Sequence, residues 1–374
     1  MSCWPGAPPL PGCAPARPGI VRSGRFRWFL LIWSSAALGM DAALNLTPKT
    51  HTTGRRLVVV IPVFDDWDSL AVLLKRLSAT APQLAVQVAI LVVDDGSTAP
   101  HCAGLGREEL PGFASLRILH LRRNLGHQRA LATGLVYAQQ YMPCDAVMVM
   151  DGDGEDLPEH APALLKEFQA FEGREVIFAA RAKRLENPMF RVFYTLYRLL
   201  HAVLVGLPVR VGNFSVLSGE ALERLVVSTE LWNHYAAAVV KSRLPFRAIP
   251  LARGKRISGE STMSFPALVA HGLSALSVFG DIVGARLLAV SSAGLVVACA
   301  ATLAAVLIRT TMKQAIPDWA TFALGLAALL LAQCVAISFI MVFLILASRT
   351  HVTFLPIRDC PYFFGRVEEV FRDE

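Results

Sequence analysis

The chain has 374 residues, of which 54% are hydrophobic and 17% charged, with a formal net charge of +7. It is more apolar and less charged than an ordinary soluble domain, and the excess lies near the C-terminus, which points to membrane segments rather than an oversized core. The seven cysteines are scattered, odd in number and form no C-x-x-C pair, which excludes a disulfide framework and a zinc site and fits a reducing compartment.

Residues 1–54 open with the Pro/Gly/Ala-rich stretch Pro5 to Pro18, a composition that builds no core. The apolar run Trp28 to Met40 that follows is too short to cross a bilayer of about 30 Å as a helix. This region is expected to be a disordered or non-native extension, with Met40 as an expected alternative start. From Arg56 strands alternate with helices. Leu57 to Val63 is a run of β-branched and aliphatic residues suited to a strand buried on both faces. Asp68 to Ala79 has helical spacing, with Leu70, Leu73, Leu74 and Leu77 on one side. Further strands are expected at Val86–Val93, Leu116–Leu121, Ala146–Met150 and Val176–Ala180. Further helices are expected at Gly126–Gln140 and Pro158–Phe171. This alternation predicts an α/β domain over 55–262 with a mostly parallel sheet, whose ligands bind beyond the carboxyl ends of the strands.

Residues 263–286 read as an amphipathic interfacial helix, with Phe265, Leu268, Leu273, Leu276 and Phe279 roughly on one side. Leu287 to Ile308 and Ala320 to Ser348 carry no charge and are each long enough to span a bilayer, so 287–348 is expected to be a two-helix hairpin. Residues 349–374 then form a tail on the side of the domain. Arg253, Lys255, Arg256, Arg286, Arg349, Arg358 and Arg366 lie on that side, against Arg309 and Lys313 in the turn. The positive-inside rule places domain and tail in the cytoplasm.

Acidic residues mark the strand ends. Asp151 and Asp153 follow the Ala146–Met150 strand, and two carboxylates there can share Mg²⁺ or Mn²⁺ with a diphosphate. Asp94-Asp95-Gly96-Ser97 follows the second strand, where a carboxylate can accept hydrogen bonds from a base or ribose; a tight turn explains it equally well. The basic loop from Arg253 to Ser261 can clamp a diphosphate or a lipid phosphate, or flank a membrane helix. Candidate general bases are Asp156, Glu230 and His234, the last two expected on one helical face.

Together these pieces resemble glycosyltransferase family 2, particularly its membrane-anchored branch with dolichol-phosphate mannose synthase and the bacterial polyprenyl-phosphate glycosyltransferases. The family's opening P-V-[YF]-N-E appears as Pro62-Val63-Phe64-Asp65-Asp66, and its D-D-G-S is intact at Asp94 to Ser97. Its N-x-G block appears as Asn124-Leu125-Gly126-His127-Gln128, followed by Ala130 and Gly134. The D-x-D stretch runs from Asp151 to Glu159, Arg181 follows the next strand, and R-x-x-G-x-S appears as Arg256, Gly259 and Ser261. The resemblance implies a GT-A, Rossmann-like fold and inverting transfer from a UDP- or GDP-sugar. Asp66 and Asp94 would hold the nucleoside, with Pro62, Phe64, Asp95, Gly126, Arg181 and Ser261 in the donor site. Asp151 and Asp153 would hold the metal, with Asp153 counted among the catalytic groups, and Arg256 would steady the phosphates.

The branch's D-x-G-D-F-R-L stretch is here Arg210-Val-Gly212-Asn213-Phe214-Ser215-Val216, so both acids and the arginine are replaced. The Q-x-x-R-W motif of processive synthases is absent from the catalytic region, which implies transfer of a single sugar. The expected acceptor is a membrane lipid, polyprenyl phosphate first. The alternatives are another lipid or glycan hydroxyl, or a catalytically silent scaffold that binds nucleotide sugar. A multi-pass protein of a bacterial inner membrane is expected, with no nucleic-acid partner and with homo-oligomers permitted.

Overall fold

A computed structural model of the protein describes residues 56–99, 105–181, 202–206, 211–257, 265–311, 318–348 and 354–372. The extension 1–54, Arg210, Ser261, Lys313 and the side chain of Arg181 lie outside that description. Among the described residues the sheet has eight strands, in the order β7-β5-β6-β4-β1-β2-β3-β8. They are β1 (Arg56–Val63), β2 (Gln87–Asp94), β3 (Ser115–Leu121), β4 (Ala146–Val149), β5 (Val176–Arg181), β6 (Val211–Ser218), β7 (Phe246–Leu251) and β8 (Phe364–Arg372). β4, β1, β2 and β3 run parallel. β5 and β7 are also parallel to each other, while β6 and β8 pair antiparallel with their neighbours.

The parallel centre follows from its sequence. In β1, Leu57, Val59 and Ile61 pack on one face and Val58 and Val60 on the other, so no solvated face needs polar residues. Helices cover both sides. α1 (Trp67–Thr80) and α3 (Ala161–Ala170) close one face; α2 (His127–Tyr141), α4 (Gly219–Val226) and α5 (Tyr235–Lys241) close the other. α2 lies close because Gly134 faces the sheet: a Cβ there would stand 2.4 Å from Val93 Cγ2. The register sets Val63 beside Asp94 and Asp94 beside His120, so the carboxyl ends of β1, β2 and β3 finish level.

α6 (Phe265–Ser277) leads into α7 (Gly280–Thr311) and α8 (Asp318–Ser348), both long and apolar enough to cross a membrane. They pack antiparallel through small residues. Gly284 meets Met341, Val342 and Ile345, and Gly294 meets Leu331. Phe322 and Phe339 stand 74% and 61% exposed, as expected of side chains that face lipid.

Two boundaries differ from the sequence reading. The 263–286 segment is not one helix. It breaks at Val278 and Phe279, which turn inward to pack with Ala237 of α5, while Lys241 bonds Asp281 at 2.5 Å. Residues 349–374 are not a free tail, because 364–372 return as β8 on the β3 edge. Charged residues and two register shifts disguise this edge strand. β6 and β7 were also not anticipated. Polar Asn213 and Ser215, and Pro250 on the outermost strand, break the expected pattern.

Candidate active site

The strand ends of β1, β2 and β4 carry the candidate donor site. Beyond β1, Asp65 adopts φ 50° and accepts from the N–H groups of Thr98 and Ala99 at 2.7 and 3.1 Å. The Ala99 amide, with the amide and hydroxyl of Thr98, outweighs the opposing effect of desolvation and holds its carboxyl below the ordinary carboxylate range. Asp65 therefore ties β1 to the Asp94–Ser97 loop, and its neighbour Asp66 is aimed elsewhere. Asp66 Oδ2 accepts from Arg256 Nη2 at 2.7 Å, which brings a nucleoside candidate and a phosphate candidate into contact. Pro62 is buried, with its carbonyl against Gly152, and Phe64 is 49% exposed beside them.

Asp94 and Asp95 point in different directions. Asp95 is 2% exposed and accepts from the N–H groups of Leu125 and Gly126 at 2.7 and 2.8 Å. Burial pushes its pKa up, against the pull of those two donors. Gly126 can present its N–H in this way because its φ is 85°, a region other residues rarely adopt. The structure thus gives Asp95 and Gly126 a scaffolding contact to each other. Asp94 accepts from Ser97 N at 2.8 Å through Oδ1, and from His120 Nδ1 at 2.8 Å through Oδ2.

Beyond β4, the Asp151–Leu157 loop and the Ala252–Ile257 loop hold each other. Gly254 N donates to Glu155 O at 2.9 Å, Ile257 N donates to Asp153 O at 3.1 Å, and Arg253 pairs with Glu155. Asp156 Oδ2 accepts from Asp151 N at 3.0 Å, so this candidate base braces the loop. Burial first, then the neighbouring Asp151, push the Asp153 pKa up, against Arg253 and Arg256. Arg253 keeps Nε and Nη1 buried without a hydrogen-bond partner. A shallow pocket open to solvent lies alongside, lined by Asp156, His160, Phe214 and Arg253 among others.

These residues fit a divalent cation. Two oxygen ligands repel each other, and buried guanidinium donors stand ready for an anion beside them. Among the described residues no cluster of three metal-binding side chains occurs, so a divalent cation held here would draw its remaining oxygens from phosphate and water.

The Asn213 position, where the resemblance implied an acid, joins this centre. Asn213 Nδ2 donates to Asp151 Oδ1 at 3.1 Å and lies 2.9 Å from His127 Nε2; its Oδ1 accepts from Gln128 Nε2 at 3.2 Å. Burial alone would lower the pKa of His127, but Asp151, 3.2 Å away, together with Asp153 and Asp156 outweighs it and raises it. Ser215 is turned inward onto Tyr235 OH at 2.7 Å. The other candidate bases are engaged locally. Glu230 sits in the 3-10 turn Thr229–Trp232, with Oε2 accepting from Ser228 and Thr229 hydroxyls at 2.8 and 3.2 Å. His234 is the N-cap of α5, with Nδ1 accepting from Ala237 N at 3.4 Å. The helical face expected for this pair does not exist, because a 3-10 turn ends between them. Sequence reasoning missed His120 and the Gln128–Asn213–His127 chain. The only signal for His120 was a histidine where a buried strand ends.

Residues 58–225 match the family model described as Glycosyl transferase family 2. The chain carries a glycosyltransferase family 2 domain. Its relatives include an uncharacterised glycosyltransferase, YkcC, of Bacillus subtilis, 26% identical over 59% of this chain and 67% of that protein. An undecaprenyl-phosphate 4-deoxy-4-formamido-L-arabinose transferase of Klebsiella pneumoniae is 27% identical over 63% of this chain and 74% of that protein. The enzyme of the same name from Serratia proteamaculans is 34% identical, but over only 36% of this chain and 39% of that protein. Among solved structures, the glucosyl-3-phosphoglycerate synthase of Mycobacterium tuberculosis is 17% identical, with a TM-score of 0.45 over 63% of this chain and 82% of that one.

Proposed function

We propose that this glycosyltransferase moves a single sugar, with inversion, from a UDP- or GDP-sugar to polyprenyl phosphate at the cytoplasmic face of a bacterial inner membrane. The observation that carries the acceptor class is the pair of long apolar helices α7 and α8, which follow the catalytic domain. The branch's acid is here Asn213, hydrogen-bonded to Asp151, so no carboxylate base stands at that position. Asp156, Glu230 and His234 are each engaged within their own loop or turn. A phosphate acceptor is already an anion near neutral pH and needs no proton removed. The names of the Klebsiella and Serratia relatives point to the same acceptor class.

Asp94 and Asp66 would hold the nucleoside, and Arg253 and Arg256 would bind the diphosphate oxygens. Asp151 and Asp153 would hold Mg²⁺ or Mn²⁺, which when bound supplies charge neutralisation to the departing diphosphate. The acceptor oxygen attacks the anomeric carbon in line as the bond to the diphosphate breaks, giving one inversion. The membrane hairpin supports the topology, since α7 leaves the catalytic domain and β8 returns to its sheet. Domain and C-terminus therefore share one side, the side richer in arginine.

The test uses the full-length protein in detergent, undecaprenyl phosphate, Mg²⁺ or Mn²⁺, and a panel of UDP- and GDP-sugars. Nucleoside diphosphate release that needs both lipid and metal, and is lost in Asp153→Ala, is the expected result. No release with any donor, or release unaffected by Asp153→Ala, rejects the proposal.

A further inference from the structure

The strand that returns from the membrane reaches a donor-site carboxylate through one histidine. β2, β3 and β8 are neighbours in the sheet, and Asp94 and His120 are register partners. His120 Nδ1 lies 2.8 Å from Asp94 Oδ2. On the other side of the ring, Nε2 lies 3.5 Å from Glu368 Oε2 and 3.4 Å from Arg366 Nη2, and Arg366 and Glu368 bond each other at 2.6 Å. Asp94 and His120 have limited access to solvent, with side chains 8% and 20% exposed. A carboxylate can only accept, so Nδ1 must carry the hydrogen in this contact, which leaves Nε2 to face the β8 pair.

Both oxygens of Asp94 are thereby oriented, Oδ1 by Ser97 N and Oδ2 by His120. Each oxygen retains a second lone pair, enough to accept from a base or ribose. A carboxylate fixed before the ligand arrives loses less entropy on binding it than one free to rotate. The β8 pair in turn limits the tilt of the imidazole, much as an outer carboxylate orients a metal-bound histidine.

We propose that His120 is a positioning residue for the donor nucleoside. It holds Asp94 in its accepting orientation and is itself held by Arg366 and Glu368 of β8, so the nucleoside site is complete only when the chain has come back from the membrane. This rests on the reading of Asp94 as a nucleoside ligand. It does not depend on the acceptor, and nucleotide binding can be read in a protein that transfers nothing.

The experiment measures UDP and GDP affinity by calorimetry on the full-length protein in detergent, with donor KM and kcat wherever a sugar turns over. His120→Phe is expected to weaken the preferred nucleotide about tenfold and to raise donor KM with kcat nearly unchanged. His120→Asn, whose amide N–H can replace Nδ1–H, is expected to recover most of the loss, and His120→Gln, with its amide one carbon too far, is not. The double variant R366A/E368A is expected to lose about threefold. A lesion that was merely structural would lower the melting temperature and kcat together and would gain nothing from His120→Asn. That pattern, or wild-type affinity in His120→Phe while Asp94→Asn is weakened, overturns the inference and leaves the proposed reaction standing. Unchanged affinity in Asp94→Asn itself removes Asp94 from the nucleoside site, and the inference falls with it.

Discussion

Two parallel strands of one sheet, β2 and β4, lead into paired aspartates, and the fold treats the two pairs differently. At the end of β2, Asp95 is buried and accepts from two backbone N–H groups, while Asp94 is fixed by Ser97 and His120. Every contact there is made within the protein. Beyond β4, Asp151 and Asp153 stay close enough for each to disfavour the other's charge, and Arg253 keeps two buried donors without a partner. Asp95 is closed by the fold, while Asp94 is fixed by it with a lone pair to spare on each oxygen. The second pair is partnered by His127, Asn213 and nearby arginines, and the buried Nε and Nη1 of Arg253 remain for an anion that arrives with the substrate. The same residue type at the same topological position can therefore shape a loop or await a ligand, and the hydrogen-bond partners tell which.

The largest expected effect follows from the open pair. Asp153→Ala should lower turnover by about 10²-fold or more, since it removes a proposed ligand of the charge-neutralising ion. In EDTA its melting temperature should match or exceed that of wild type, because the repulsion with Asp151 is gone. A fall of several degrees with turnover preserved would break the comparison, since the β4 pair would then be structural. The closed pair should respond in the reverse sense. Asp95→Ala strands the N–H groups of Leu125 and Gly126, at about 1–3 kcal/mol for each buried group left unsatisfied. Thermal unfolding in detergent should show that loss whether or not Mn²⁺ is present. A Mn²⁺-dependent loss would mean that Asp95 belongs to the metal site.

The parallel centre was legible because its strands are unbroken aliphatic runs, and such runs must be buried on both faces. The hairpin was legible because uncharged segments of that length have few other uses. β8 was not. Its charges suit an edge strand, and its partner lies over two hundred residues away, beyond any local periodicity. Within the site, Asp151 and Asp153 lie just beyond β4 and Asp66 just beyond its neighbour β1. Asp95 shows where spacing falls short. Sequence places two aspartates side by side, but only backbone geometry, here the φ of 85° at Gly126, decides which turns inward. The expected Glu230–His234 helical face failed for a related reason, because a 3-10 turn and a helix cap were read as one helix.

A smaller effect would sharpen the contrast at the open pair. Asn213→Asp places a third carboxylate within reach of Asp151 and removes an amide donor. Like charges there disfavour one another, so the variant in EDTA should be destabilised by about 1 kcal/mol. Mn²⁺ should restore it and should bind more tightly than to wild type, because a third oxygen ligand has joined the two. A calorimetric titration checks the sign. Equal Mn²⁺ affinity in the two proteins would place Asn213 outside the ion's reach.

The smallest effect tests the absence of a general base. The Glu230 carboxylate accepts from Ser228 and Thr229, beside it in the same turn, and His234 caps the helix that follows. Each has a local structural use. Glu230→Gln should therefore keep kcat within about twofold, whereas loss of a general base removes 10²-fold or more, about 2.7 kcal/mol of barrier. His234→Ala should cost about 1 kcal/mol of stability, as a lost cap does, with kcat similarly preserved. A hundredfold fall in Glu230→Gln at unchanged stability would mean that a proton must be taken from the acceptor. The acceptor would then be a hydroxyl, and Asn213 would mark a lost acid rather than a site fitted to an anion.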